Sequence, residues 1–130
     1  MTTLQLKNHP VWQDLTEILE NLDPNTLAKE ILEECFYTIN GYWDEEDKYY
    51  ESITLPSNTT TELISSFVGF SNNKRFLKLA FSLLAYFSPI QEENQPRAKI
   101  GELVIIYNEN MEFIDENWIL EIDSPLLQKR

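Results

Sequence analysis

Residues 73–88, NKRFLKLAFSLLAYFS, decide which fold the rest of the chain can adopt. Beyond the first turn of a helix, the apolar side chains of this stretch point to nearly every side. A helix that is apolar all round is normally buried inside a protein. The stretch therefore predicts a central helix that Pro89 ends.

Two segments flank this central stretch. Thr59 and Glu62 have the spacing of a capping box, which predicts a short helix. Its apolar residues are Leu63, Ile64, Phe67 and Val68. Gly69 then ends it, and Ser71 and Asn72 can cap the central helix that follows. Residues 89–99, PIQEENQPRAK, are polar and contain two prolines, so we expect a loop there.

The C-terminal third has the pattern of a sheet. Residues 103–107, LVIIY, form a continuous apolar run that is typical of a buried strand. Residues 111–114 alternate, and residues 118–122 complete a three-stranded meander. Turns are expected at Asn108–Asn110 and at Asp115–Asn117.

The N-terminal third predicts two helices. The first has an apolar stripe at helical spacing, made by Val11, Leu15, Ile18, Leu19 and Leu22. Asp23 and Pro24 break the chain and start a second helix that runs to about Asn40 before Gly41. Its stripe consists of Leu27, Ile31, Cys35 and Ile39. We expect the two helices to form an αα-hairpin.

Together these patterns predict an α+β fold of one domain over residues 1–130. The N-terminal αα-hairpin and the further helices would pack on one face of a small, mostly antiparallel C-terminal sheet. A further strand is expected at residues 49–55, with Tyr49, Glu51, Ile53 and Leu55 on one face. A chain of 130 residues buries about two-thirds of its unfolded surface, which is enough for a hydrophobic core.

The net charge and its distribution along the chain make some classes of partner less favourable than others. The net charge is −12, which disfavours direct binding to nucleic acid or to an anionic membrane. Residues 1–70 carry three basic and 13 acidic residues, whereas residues 71–99 carry five basic and two acidic ones. Either the basic centre neutralises neighbouring carboxylates within the fold, or one very negative face steers a basic partner.

Residues for catalysis or for a cofactor are scarce. One cysteine, Cys35, and one histidine, His9, exclude an internal disulfide and a multi-cysteine or multi-histidine metal centre. Cys35 lies among apolar residues and is expected to be buried, and His9 is expected to cap a helix or lie at the surface. The three glycines, at positions 41, 69 and 101, form no phosphate-binding loop, and there is no G-x-S-x-G motif. We therefore predict a protein that is not an enzyme and that has no cofactor and no metal.

The sequence also bears on location. Its first residues, MTTLQLKNHPVWQDL, lack the apolar core of a signal peptide. The longest apolar region, around residues 76–87, is interrupted by Lys78 and Ser82 and is too short to cross a bilayer. These features predict a soluble, cytoplasmic protein without membrane contact.

The most conspicuous local feature is an acidic run flanked by aromatic residues. The pattern of an EF-hand loop fails there, because Lys48 and Tyr49 stand where ligands are needed and no glycine follows. Aromatic rings beside acids can anchor a basic protein surface, although the same rings could simply cover an edge of the core. The candidate partner-binding residues are Trp43, Asp44, Glu45, Glu46, Asp47, Tyr49 and Tyr50. A second acidic stretch, residues 108–117, is attributed to turn formation.

These observations predict a small acidic, non-enzymatic interaction domain that acts as an adaptor, inhibitor or regulator. Its partner would be a protein with a basic surface. The alternative is a domain that binds a small ligand or a divalent cation, through the acidic run or through the space between helices and sheet.

Overall fold

The computed structural model describes residues 10–87 and 96–130, and for residues 11–15 it describes the backbone only. These residues form two helices followed by seven strands. Their bounds are α1 Pro10–Leu22, α2 Pro24–Glu34, β1 Thr38–Trp43, β2 Tyr49–Thr54, β3 Thr60–Ser71, β4 Lys74–Tyr86, β5 Arg97–Asn108, β6 Phe113–Leu120 and β7 Gln128–Lys129. The strands make a three-stranded sheet, β1-β2-β7, and a four-stranded sheet, β3-β4-β5-β6, and all pairs are antiparallel.

The predicted fold class is wrong, and the largest error lies in the stretch at 73–88. It forms the inner strand β4, and the segment before it forms strand β3 instead of a short helix. A two-residue turn joins them, in which Asn72 and Asn73 have φ angles of 54° and 65°. Two residues with positive φ match the twist of a β-hairpin, and asparagine tolerates this conformation. Asn72, which was expected to cap a helix together with Ser71, therefore forms a hairpin turn with Asn73.

Strand β4 supplies the centre of the hydrophobic core. Its buried hydrophobic residues alternate along the strand, so they all lie on one face of the four-stranded sheet. They are Leu77, Leu79, Phe81, Leu83 and Ala85. Strand β5 adds Ile100, Leu103 and Ile105, and the helices and the three-stranded sheet add Ala28, Leu32, Ile39 and Ile53. One core thus joins the larger sheet to the smaller sheet and α2.

The two helices lie close to where they were expected, but they do not form the predicted αα-hairpin. Only Asp23 stands between them, with a φ angle of 46°, whereas an αα-hairpin needs a loop of about 2–5 residues. Helix α2 packs against β3 instead. It also ends at Glu34 and not near Asn40, because Phe36 and Tyr37 both have φ angles of 56° and lead into β1.

The C-terminal meander has fewer turns than expected. Residues 113–120 form one strand, β6, which runs through Asp115, Glu116 and Asn117 without turning. These polar residues are exposed, and β6 is an edge strand, where charged residues are well tolerated. The predicted loop at 89–99 is replaced by β5 from Arg97 onward. Its residues 89–95, together with His9 and the side chains of Val11 and Leu15, lie outside the described part of the chain.

A change of phase in the β1–β2 hairpin sets which aromatic rings are exposed. Ile39 and Ile53 are cross-strand partners, and both are buried. Tyr42 and Tyr50 are also cross-strand partners, and Tyr50 is buried while Tyr42 is half-buried. In each strand these buried positions are three residues apart, whereas a regular strand separates them by two. Gly41, with a φ angle of 70°, lies between the two buried positions of β1. This glycine lets Tyr42 turn inward, and Trp43 consequently turns outward.

Candidate functional site

Asp44 organises the turn that carries the acidic run. Its Oδ1 accepts hydrogen bonds from the backbone N–H groups of Glu46, at 2.8 Å, and Lys48, at 2.9 Å. Its Oδ2 accepts the hydroxyl of Tyr50 at 3.3 Å. The turn closes where the Asp44 N–H donates to the Lys48 carbonyl at 3.0 Å, and Asp47 takes a φ angle of 61°. This is a type I turn followed by a left-handed residue, a common way to close a hairpin.

The same turn recurs in the other acidic stretch. Asn108 Oδ1 accepts the N–H groups of Asn110, at 2.9 Å, and Glu112, at 3.0 Å. The Asn108 N–H donates to the Glu112 carbonyl at 2.9 Å, and Met111 has a φ angle of 62°. Two of the most acidic segments are thus hairpin turns with Asp or Asn at their first position.

These bonds lower the pKa of Asp44 below its usual range. The largest cause is the hydrogen bond from the Lys48 backbone, and the bonds from Glu46 and Tyr50 act in the same direction against partial desolvation. Hydrogen bonds to a carboxylate favour its charged form. The Asp44 carboxylate therefore binds groups within the hairpin. The side chains of Glu45, Glu46 and Asp47 around it are exposed to solvent.

The three candidate aromatic residues separate into two groups. Trp43 and Tyr49 face each other across the hairpin, with ring centroids 5.0 Å apart, and are 62% and 49% exposed. Tyr50 is only 7% exposed, and the Lys48 ammonium lies 5.2 Å from its ring centroid. The structure therefore presents Trp43 and Tyr49 as one exposed pair and places Tyr50 in the core.

An open groove of about 410 Å³ runs beside this turn. One wall is the β1–β2 hairpin, and the other is the end of β6 with the residues that follow it. Among the described residues, the carboxylates that line the groove come from both walls, namely Asp44, Glu45, Glu46, Glu121 and Asp123, and Lys48 is the one basic residue lining it. Asp47 does not line it. We call this the acidic groove.

Tyr42 holds the two walls of the acidic groove together. Its hydroxyl accepts the backbone N–H of Leu120 at 3.0 Å, which links the smaller sheet to the larger one. Sequence reasoning missed Tyr42, Glu121 and Asp123 as parts of this site. Nothing local could have indicated the two acids, because they join Asp44 only through the packing of strands that are far apart in sequence.

Two other candidate features have ordinary surroundings. Cys35 is half-buried, and its thiol donates to the Leu32 carbonyl at 3.4 Å. In residues 10–87 and 96–130, no group of three acidic, histidine or cysteine side chains converges to hold a metal ion. Within the same ranges, neither helix is long and apolar enough to cross a bilayer.

Comparison with known proteins gives no relative. No family model, curated protein or solved structure matches the chain.

Proposed function

We propose that this protein is a non-enzymatic interaction domain that binds a basic protein surface through its β1–β2 hairpin and acidic groove. The observation that carries the proposal is that one hairpin bears the exposed Trp43–Tyr49 pair and also forms one wall of a groove lined by five carboxylates, although neither ring lines the groove itself. Aromatic rings dominate the binding energy of many protein interfaces, whereas charges around them mainly set association rate and specificity.

The aromatic pair has the features of an anchor. The two rings support each other on a hairpin whose turn is fixed by the hydrogen bonds of Asp44. A ring that is already held in place loses little conformational freedom on binding. Covering Trp43, which is 62% exposed, would also remove a large apolar surface from water.

The acidic groove supplies the complementary charge. Its carboxylates come from two segments that converge on one cleft, and the net charge of −12 adds a long-range negative field. Such a field speeds encounter with a positive surface and repels phosphates. The proposal therefore includes no direct contact with nucleic acid.

The alternatives receive less support. No three described side chains converge as metal ligands, so nothing in that part of the chain favours a divalent cation. The acidic groove is partly open to solvent and its lining is mostly polar, whereas small-ligand sites are usually enclosed and mostly apolar. We also propose a cytoplasmic location, which the single cysteine supports because small secreted domains usually depend on disulfides.

The test uses a charge variant that leaves the turn intact. Glu45→Gln, Glu46→Gln and Asp47→Asn remove three charges but spare Asp44. The matched control, Glu30→Gln, Glu33→Gln and Glu34→Gln, makes the same change in net charge on α2, away from the groove. Affinity capture with wild type, variant and control identifies a partner that depends on the hairpin, and association kinetics are then measured with that purified partner.

We expect the hairpin variant to associate about tenfold more slowly at low salt, and the difference to shrink as salt rises, because exposed charges are screened over about 8–10 Å. Trp43→Ala should instead speed dissociation, with a loss of about 2 kcal/mol or more in binding. Equal association rates for hairpin variant and control at low salt would contradict steering by this hairpin. Unchanged dissociation of Trp43→Ala would contradict the anchor.

A further inference from the structure

The two edges of the four-stranded sheet differ sharply in charge. Strand β3 forms one edge, and residues 63–73, which cover most of it and its turn, contain no charged side chain in a protein of net charge −12. Strand β6 forms the other edge and carries Asp115 and Glu116, with Glu112 and Glu121 just beyond its ends. Like charges repel a second copy from β6, whereas β3 offers no such repulsion.

Strand β3 also exposes large apolar side chains. Ile64, Phe67 and Phe70 are 48%, 54% and 74% exposed. Phe67 rests against Phe76, with centroids 5.7 Å apart, yet more than half of it still faces solvent. Within the described ranges, β4 is the only strand paired with β3, so its outer edge keeps unpaired backbone groups. An open, uncharged apolar edge is a template for another strand.

The charges at the ends of this edge fit a second copy of the same chain. The register shift lies between Leu63 and Ser65, so β3 is regular from Ser65 to Ser71, with its midpoint at Val68. A two-fold axis at Val68 pairs two β3 strands antiparallel. Glu62 of one copy then lies near the tip of the other copy's β3–β4 hairpin, where Lys74 and Arg75 begin β4.

We propose that β3 is the interface of a homodimer, in which two β3 strands pair antiparallel and the two four-stranded sheets become one sheet of eight strands. An isologous pair of this kind closes on itself and uses the same segment twice. Glu62 is held only loosely by Arg97, at 4.0 Å and with both side chains well exposed, so it remains accessible to the basic end of the other copy.

The dimer leaves the acidic groove free. The groove lies at the β6 edge of the larger sheet, and β3 lies at the opposite edge. The two interfaces also respond oppositely to salt. Screening weakens attraction between the groove and a basic partner. Between two copies it also weakens the attraction of Glu62 for the Lys74–Arg75 end, but it relieves the larger repulsion between two net charges of −12.

Sedimentation velocity of the purified full-length chain tests the proposal over a range of protein and salt concentrations. Lys74→Glu puts an acid beside Glu62 of the other copy, and its matched control, Lys78→Glu, makes the same charge change at an exposed position inside the sheet. A second pair removes an exposed apolar side chain from each edge: Phe70→Ser on β3 and Ile114→Ser on β6.

We expect a dimer that tightens as salt rises. Lys74→Glu and Phe70→Ser should each raise the dissociation constant about tenfold or more, because the two-fold axis applies each change twice, while both controls stay near wild type. Circular dichroism and thermal melting of each variant separate a weakened interface from a fold that is lost. A monomer at all concentrations, a dimer sensitive to Ile114→Ser but not to Phe70→Ser, or open-ended growth with concentration would overturn the proposal.

Discussion

At the scale of single residues, Asp44 stabilises a hairpin turn, although its place in an acidic run suggests a role in binding a partner. Asp44 belongs to the most acidic run of the chain, yet its carboxylate is bonded to two backbone N–H groups and a hydroxyl of the same hairpin. Asn108 holds the equivalent turn without any charge. The acceptor oxygen is what the turn requires, and the charge of Asp44 adds to it.

This division predicts how Asp44→Asn responds to pH. Because the folded protein lowers the pKa of Asp44 below its ordinary value of 3.8, its charge stabilises the fold above that value. The contribution is lost as pH falls through the lower pKa of the folded state. Wild type should therefore have a higher urea midpoint than Asp44→Asn at neutral pH, and the two midpoints should converge below pH 3.8.

A control at the same turn separates this effect from overall charge. Asp47→Asn removes an equal charge from an exposed side chain that has no role in closing the turn, so its midpoint at neutral pH should stay close to that of wild type or rise slightly. A gap between wild type and Asp44→Asn that persists or widens in acid would show that the charge does not act through these hydrogen bonds.

At the scale of elements, β4 shows how an apolar stretch can be assigned the wrong period. Residues 76–87 are rich in leucine, phenylalanine and alanine, so the stretch has no polar face. Without one, its pattern fits a buried helix as well as a strand that is buried on one face and half-buried on the other. The decisive signal was Asn72-Asn73, a two-residue hairpin turn between two apolar runs. By contrast, the strands at 49–54 and within 97–108 were visible in the sequence because of their composition and alternation.

Truncation along β4 tests its strand periodicity. Leu79, Phe81 and Leu83 are fully buried, although a helix would place Phe81 about 160° around the axis from the other two. We expect Leu79→Ala to cost about 2–5 kcal/mol and Phe81→Ala about 3–5 kcal/mol, whereas Leu84→Ala on the half-buried face should cost less. Urea unfolding measures all three, and a small loss at Phe81 with a large one at Leu79 would indicate helical spacing instead.

At the scale of the whole molecule, the change of fold class alters the architecture but leaves the charge and residue counts unchanged. The net charge and the number of residues of each type are the same in any fold. The composition that led us to propose an acidic interaction domain is therefore unaffected by the corrected fold class. The acidic groove depends on which distant segments meet. Glu121 and Asp123 line the same groove as Asp44 because the β1–β2 hairpin packs beside the end of β6, where Tyr42 accepts a hydrogen bond from Leu120 across 78 residues of sequence.

The distribution of basic residues in space gives the last prediction. The basic centre of the sequence is divided in the fold. Lys74 and Arg75 lie at one end of the larger sheet, Lys78 lies three residues further along β4, and Arg97 lies at the other end, opposite Tyr86. At about 3.3 Å per residue, the Lys74–Arg75 end and Arg97 are some 35–40 Å apart along β4. Arg97 and Lys99 also face Glu62 and Glu102, at 4.0 and 2.8 Å.

Among the described residues, no stripe of cations runs along the sheet to replace the counterions of a phosphate backbone, which is the main source of non-specific affinity for DNA. We expect no binding of a labelled DNA duplex in fluorescence anisotropy at physiological salt, and none even at low salt, because the net charge of −12 repels the duplex. The Lys74→Glu variant should behave the same way. Micromolar binding that weakens steeply with salt and is lost in Lys74→Glu would show that the β3–β4 hairpin forms a cationic surface by itself, and the negative field would then not govern which partners reach the protein.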